Sequence, residues 1–155
     1  MSAGPRGVVG LVLMPFGVSE LSFGDGRAKS DAISHGAAAL ELRAPYSGAR
    51  LRFGVEANRH DRIVDASLKY NFMHWTPLQP FLSVGVGAAR LGPEDVWRGT
   101  ASASAGIDFF LTPELFLTAE AKGRVFSDLS PTDVQNLNGN GLGMGTALFG
   151  IGLYF

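Results

Sequence analysis

Residues 141–155 read GLGMGTALFGIGLYF, and the parity of their side chains sets the reading of the whole chain. Odd positions carry Ala147, Phe149, Ile151, Leu153 and Phe155, while even positions carry Thr146, Gly150, Gly152 and Tyr154. A period of two is the mark of a strand; a helix would spread these groups round its axis. The five glycines at 141, 143, 145, 150 and 152 would each weaken a helix by about 1 kcal/mol relative to alanine. A strand this apolar needs closure or cover, because its free edge would otherwise template pairing with other chains.

Working outward from that strand, seven earlier stretches alternate in the same way. Strands are expected at about 7–21, 34–43, 50–58, 62–73, 80–90, 99–111, 114–126 and 141–155, within one β domain spanning 1–155. The third is the cleanest: Leu51, Phe53, Val55 and Ala57 alternate with Arg50, Arg52, Gly54, Glu56 and Asn58. The first is the least regular, because both of its faces are apolar and Pro15 removes a ladder donor. Polar loops at 23–31, 92–99 and 127–140, with a compact connection around His60 and Asp61, follow the odd strands. Short turns holding Pro45, Pro77 and Pro113 follow the even ones. Such an asymmetry fits an up-and-down meander with all odd connections at one end, and no βα spacing or linker interrupts it.

Composition narrows the function classes. Charged residues are 17% of the chain and hydrophobic ones 46%, against roughly 25% charged in ordinary soluble domains. Thirteen basic and 14 acidic residues leave a net charge of -1, so no field gathers nucleic acid. With no cysteine, disulfide staples and thiolate metal sites are excluded. No run of apolar residues is long enough for a transmembrane helix. The opening MSAGPRGVVGLVLMPFG superficially resembles a signal peptide, but it is required as the first strand, carries Pro15 and lacks a small-x-small cleavage site. If the protein is exported, the expectation is that its targeting segment has been removed, leaving a Met or tag remnant.

Alternation alone does not say which face meets water. A soluble eight-stranded barrel, such as a lipid carrier, points its apolar face inward; a membrane barrel inverts the arrangement. Three features favour inversion. The charges on the polar face nearly balance, with Arg43, Arg50, Arg52, Lys69, Lys122 and Arg124 against Glu41, Glu56, Asp65, Asp108 and Glu120, a set able to pair across a narrow lumen. The same face is rich in small residues, as at Gly85–Gly87 and Thr100–Gly106, which suits a crowded interior. Aromatics gather near strand ends, among them Tyr46, Trp75, Trp97, Phe110 and Tyr154, as in interfacial girdles. Most segments also reach the roughly 9–11 residues a tilted spanning strand needs.

On these patterns the chain resembles the small bacterial outer-membrane β-barrels, the group that includes the OmpA transmembrane domain and the OmpX-like proteins. The resemblance extends over essentially the whole chain as pattern, and its one motif-like piece is terminal. Such barrels commonly end in an assembly signal of the form polar, any, Gly, two of any kind, hydrophobic, any, aromatic. Gly150, Leu153 and Phe155 match it, while Leu148 stands where the polar residue is expected. The resemblance implies an eight-stranded antiparallel transmembrane barrel in the outer membrane of a Gram-negative bacterium. It further implies a monomer whose partners are outer-membrane lipid, lipopolysaccharide and the outer-membrane assembly machinery.

Catalytic and metal readings find little support in the residues. A lipid A deacylase-like site would place a His and a Ser near the outer end of a late strand, but the seventh strand has no His. His35, His60 and His74 are scattered and lack ligand spacing, and the loop acids Asp25, Asp31, Asp128 and Asp133 stand apart from one another. The glycines at 139–145 precede no helix, which excludes a nucleotide loop. The expectation is a non-enzymatic structural or surface-interaction barrel with no cofactor, metal or catalytic residue. A narrow pore for small solutes and a soluble lipocalin-like carrier are the alternatives.

Overall fold

The computed structural model describes residues 7–23, 28–59, 61–90, 97–127 and 142–155. Eight strands form an antiparallel barrel in which each pairs with its sequence neighbours and the last closes on the first. They are β1 (Val9–Phe23), β2 (Ala28–Arg43), β3 (Ala49–Asn58), β4 (Arg62–Asn71), β5 (Leu78–Arg90), β6 (Trp97–Phe110), β7 (Leu115–Ser127) and β8 (Leu142–Tyr154). The all-β, eight-stranded, closed architecture expected from the alternation is the one observed. Strands β1 and β2 run further than expected, into the stretch read as the 23–31 loop. Residues 24–27, 91–96 and 128–141, which hold most of the long loops, lie outside the described residues, as does His60.

Closure requires the strands to tilt. Straight across the ladder from Leu11, the partners are Leu40, Phe53, Ala66, Val86, Ala101, Val125 and Gly143, and the path re-enters β1 at Ser22, eleven residues on. One of those residues is a bulge: β1 carries an extra residue against both neighbours in the Leu13–Val18 segment that contains Pro15. Proline has no ladder donor to lose at a bulge. The bulge also explains why both faces of this strand read as apolar. Val12 and Met14 point inward before it, Pro15 and Phe16 both point outward, and Ser19 points inward after it. The stagger corresponds to a tilt of roughly 40°.

The turns at the opposite end are short and locally satisfied. In the β6–β7 turn the Thr112 hydroxyl accepts from the amides of Glu114 and Leu115 at 3.3 and 3.0 Å. In the β4–β5 turn the Thr76 amide donates to the Met73 carbonyl at 2.9 Å. β1 begins and β8 ends at this turn end, where the Phe155 amide donates to the Val9 carbonyl at 2.9 Å and completes the seam between β8 and β1.

Interior space is made by glycine where a neighbouring ring crosses the wall. Gly152 is the ladder partner of Phe116, and a Cβ there would lie 2.1 Å from the ring. Gly10 is the partner of Tyr154, and a Cβ there would lie 2.6 Å from that ring. Each pair stacks an aromatic flat over a residue with no side chain, which fills the lumen and covers otherwise bare backbone.

Candidate functional site: the charged lumen

The two faces of the wall differ sharply. Leu11, Leu13, Phe53, Val55, Leu68, Leu82, Val84, Val86, Leu117, Phe149, Ile151 and Leu153 are exposed on the outside. Glu41, Arg43, Arg50, Arg52, Glu56, Asp65, Lys69, Asp108, Glu120, Lys122 and Arg124 are buried within. A soluble carrier would reverse these faces, so that alternative is set aside. The shortest strands have 10 residues; at about 3.3 Å per residue and a tilt of roughly 40° they span about 25 Å, the height of an outer-membrane lipid belt.

Inside, the charges form two linked tiers. In the tier near the turns, Glu41 is the hub. It accepts from Arg52 Nε and Nη2 at 2.9 and 2.7 Å, from Lys69 Nζ at 3.1 Å, from Arg50 Nη1 at 3.5 Å and from the Tyr154 hydroxyl. Asp108 shares Lys69 at 2.7 Å and also accepts from Asn71 and Thr118, both at 2.8 Å. Arg50 donates to Gln79 at 3.0 Å, and Gln79 in turn donates to the Thr76 carbonyl at 2.9 Å, which ties the network to the β4–β5 turn.

The tier near the loops centres on Glu56. It accepts from Arg124 Nη1 and Nη2 at 2.9 and 3.1 Å, from Lys122, and from His35 Nε2 at 3.0 Å. Arg124 also donates to Asp65 at 2.6 Å. Glu120 joins the tiers, meeting Arg52 at 2.6 Å below and Lys122 at 3.7 Å above. The contacts of Arg52 with Glu120, and of Arg124 and Lys122 with Glu56, join β3 to β7 and so brace opposite walls. Low dielectric strengthens each of them while making an unpaired charge there costly.

Apolar side chains cluster toward both ends of the charged column. Ile63, Ala89 and Met144, with Phe126 against them, lie at the loop end. At the turn end Phe110, Phe116 and Tyr154 form a stack with ring centroids 4.9 and 5.4 Å apart. Arg50 lies 5.2 Å from the Tyr154 ring centroid, and Lys69 Nζ lies 4.1 Å from that of Phe81, so cations are held by aromatic faces as well as by acids.

Two expected girdle aromatics need correction. Tyr154 is buried and bonded to Glu41 and Arg50, and Phe110 packs inward on the same cluster. Position 154 shares parity with inward-facing Leu148, so its place is inside, where the space above Gly10 receives the ring. Tyr46, Trp75 and Trp97 are exposed on the outside, Tyr46 and Trp75 in turns and Trp97 at the loop end of β6. Of the assembly-signal residues, Leu153 and Phe155 face outward, while at Gly150 a Cβ would meet the Leu13 carbonyl at 2.0 Å. Gln79, Asn71, Thr118 and His35 also belong to the network, beyond the charged set the sequence suggests; the parity of Gln79 with Phe81 and Ser83 is the signal that places it inside. Among the described residues, no group of three or more His, Cys, Asp or Glu could hold a metal ion.

An apolar exterior around a paired, polar interior defines the transmembrane class of β-barrel. Solved structures of that class share the fold. Neisserial surface protein A is 16% identical with a TM-score of 0.70, covering 95% of this chain and 96% of that one. The N-terminal β-barrel domain of Pseudomonas aeruginosa OprF is 15% identical with a TM-score of 0.59, covering 96% and 98%. A de novo designed transmembrane β-barrel is 13% identical with a TM-score of 0.55, covering 100% of both chains. No protein-family model matches the chain, and no curated protein matches it in sequence.

Proposed function

We propose that this chain is an integral outer-membrane barrel of a Gram-negative bacterium, acting as a non-enzymatic structural or surface-interaction protein through the loops at one end. The observation that carries the reading is the occupied lumen. Acids and bases that a conduit would present to solute are bonded to one another, Arg52 to Glu120 and Arg124 to Glu56 across the barrel and Arg50 and Arg52 to Glu41 between neighbouring strands, and eight strands leave room for little more than side chains. His35, the one histidine buried among the described residues, is engaged by Glu56. In this reading Leu153 and Phe155 face outward and, with Gly150, form the pattern read by the assembly machinery, and the apolar belt meets lipid and lipopolysaccharide.

Planar-bilayer conductance of the folded full chain tests the closed lumen. The expected result is no discrete channel openings, with loop deletion abolishing surface adhesion and leaving permeability unchanged. Steady ohmic conductance by the intact barrel, or swelling of liposomes that contain it, would favour a small-solute pore instead.

A further inference from the structure

Among the described residues, the turn-end tier of the lumen holds one more cation than it has acids. Glu41, Asp108 and Glu120 face Arg43, Arg50, Arg52 and Lys69, all of them buried. Arg52 lies 2.7 Å from Glu41, Lys69 lies 2.7 Å from Asp108, and Arg50 lies 3.5 Å from each of those two acids. Arg43 enters none of these ion pairs, and its buried Nη1 has no hydrogen-bond partner. It ends β2 at the turn-side mouth of the barrel, and at 9% it is the most exposed of this set.

The surroundings of Arg43 concentrate positive charge at that mouth. Arg43 and Arg50 are direct ladder partners, and like charges directly opposite on adjacent strands repel. Arg50 also keeps a buried Nε without a partner. The ring of Tyr154 lies beside both guanidinium groups, its centroid 5.9 Å from Arg43 Cζ and 5.2 Å from Arg50 Cζ. It reaches them because Gly10, which pairs with Glu41 on one side and with Tyr154 on the other, puts no side chain in its way. A buried cation without a counter-charge is costly, and a bound anion removes that cost. Guanidinium forks with N–H groups to spare match the paired oxygens of a carboxylate or a phosphate.

We propose that Arg43 and Arg50, beside the Tyr154 ring, form a binding site for a small oxyanion, the carboxylate or phosphate group of a solute that enters from the turn side. The site rests on the barrel geometry and is independent of what the loops bind. Acetate and inorganic phosphate each offer the oxygen geometry; chloride offers the charge without it.

The test folds the full chain and R43Q into phosphatidylcholine vesicles and follows urea unfolding at constant pH and ionic strength, first in chloride and then with chloride exchanged for acetate or phosphate. At about ten times its dissociation constant, the oxyanion is expected to raise the wild-type folding equilibrium constant about tenfold, and R43Q to lose that gain. General stabilisation by well-hydrated anions acts on both chains, so the gain is read as the difference between them. In chloride alone R43Q is expected to match or exceed the wild type, because it removes a cation that no acid answers. Whichever of acetate and phosphate gives the larger gain names the class of oxyanion. Equal gains in the two chains would overturn the proposal, as would no gain in either. It would also be overturned if R43Q failed to fold or unfolded in chloride at clearly lower urea than the wild type, since Arg43 would then be a brace of the lumen. Failure of the wild type to fold in any vesicle would overturn the membrane reading instead, and is distinguishable because it precedes any anion comparison.

Discussion

Replacing Glu41 with glutamine removes the hub charge of the turn-end tier while keeping its shape. Arg50, Arg52 and Lys69, all buried, would then share Asp108 and Glu120 as their nearby acids. Breaking a buried pair by neutralising one partner costs about 3–5 kcal/mol. Here the loss is cushioned, because Arg52 keeps Glu120 at 2.6 Å and Lys69 keeps Asp108 at 2.7 Å. The expected cost is therefore near the lower bound, about 3 kcal/mol. With a urea slope of about 2 kcal/mol/M, E41Q should unfold at roughly 1.5 M less urea than wild type in lipid vesicles, read from Trp75 and Trp97 fluorescence. Adding K69M should recover part of the loss, because it removes one of the stranded cations, giving a coupling of about 1 kcal/mol. If E41Q unfolds within about 0.5 kcal/mol of wild type, the lumen is hydrated enough to screen its charges and the bracing argument fails.

Three further outcomes follow from the same geometry. G152A should lose about 1–3 kcal/mol through overpacking against the Phe116 ring, whereas G145A, whose added Cβ meets nothing within 4 Å, should stay within about 0.5 kcal/mol; urea titration of both separates a packing role from a general dislike of side chains at glycine. Y154F keeps the aromatic stack but deprives Glu41 and Arg50 of the hydroxyl, and should cost about 1–3 kcal/mol in the same titration; no change would return Tyr154 to the membrane interface. Deleting Phe155 removes one seam hydrogen bond, worth about 1 kcal/mol in vitro, yet should sharply reduce the amount assembled into outer membranes of expressing cells. Equal modest effects in both settings would remove Phe155 from any role in assembly.

Much of this architecture was legible because period-two patterning is local. Strand number, the inverted faces and the inward charges could each be read from residues such as Arg50, Arg52 and Glu56 alternating with Leu51, Phe53 and Val55. Pairing was not legible in the same way. That Arg52 reaches both Glu41 and Glu120 depends on strand tilt and stagger, which arise from closure of the whole barrel rather than from any one stretch. The misplacement of Tyr154 and Phe110 has a different origin: aromatic residues near strand ends suggest girdles, but parity directs both rings inward, and Gly10 leaves room for that of Tyr154. The ends of β1 and β2 differ for a third reason: Leu21 and Ser22 pair with Lys29 and Ala28 in a stretch whose polar, glycine-containing composition reads as loop.

The most direct test of a charged interior inside an apolar exterior is the solvent the chain needs in order to fold. Diluted from urea into lipid vesicles or detergent micelles, the full chain should acquire β-sheet circular dichroism and migrate differently in unheated and boiled gel samples. Diluted into plain buffer, it should do neither. Cooperative folding in buffer alone, with no heat-modifiable migration gained from lipid, would contradict the transmembrane barrel.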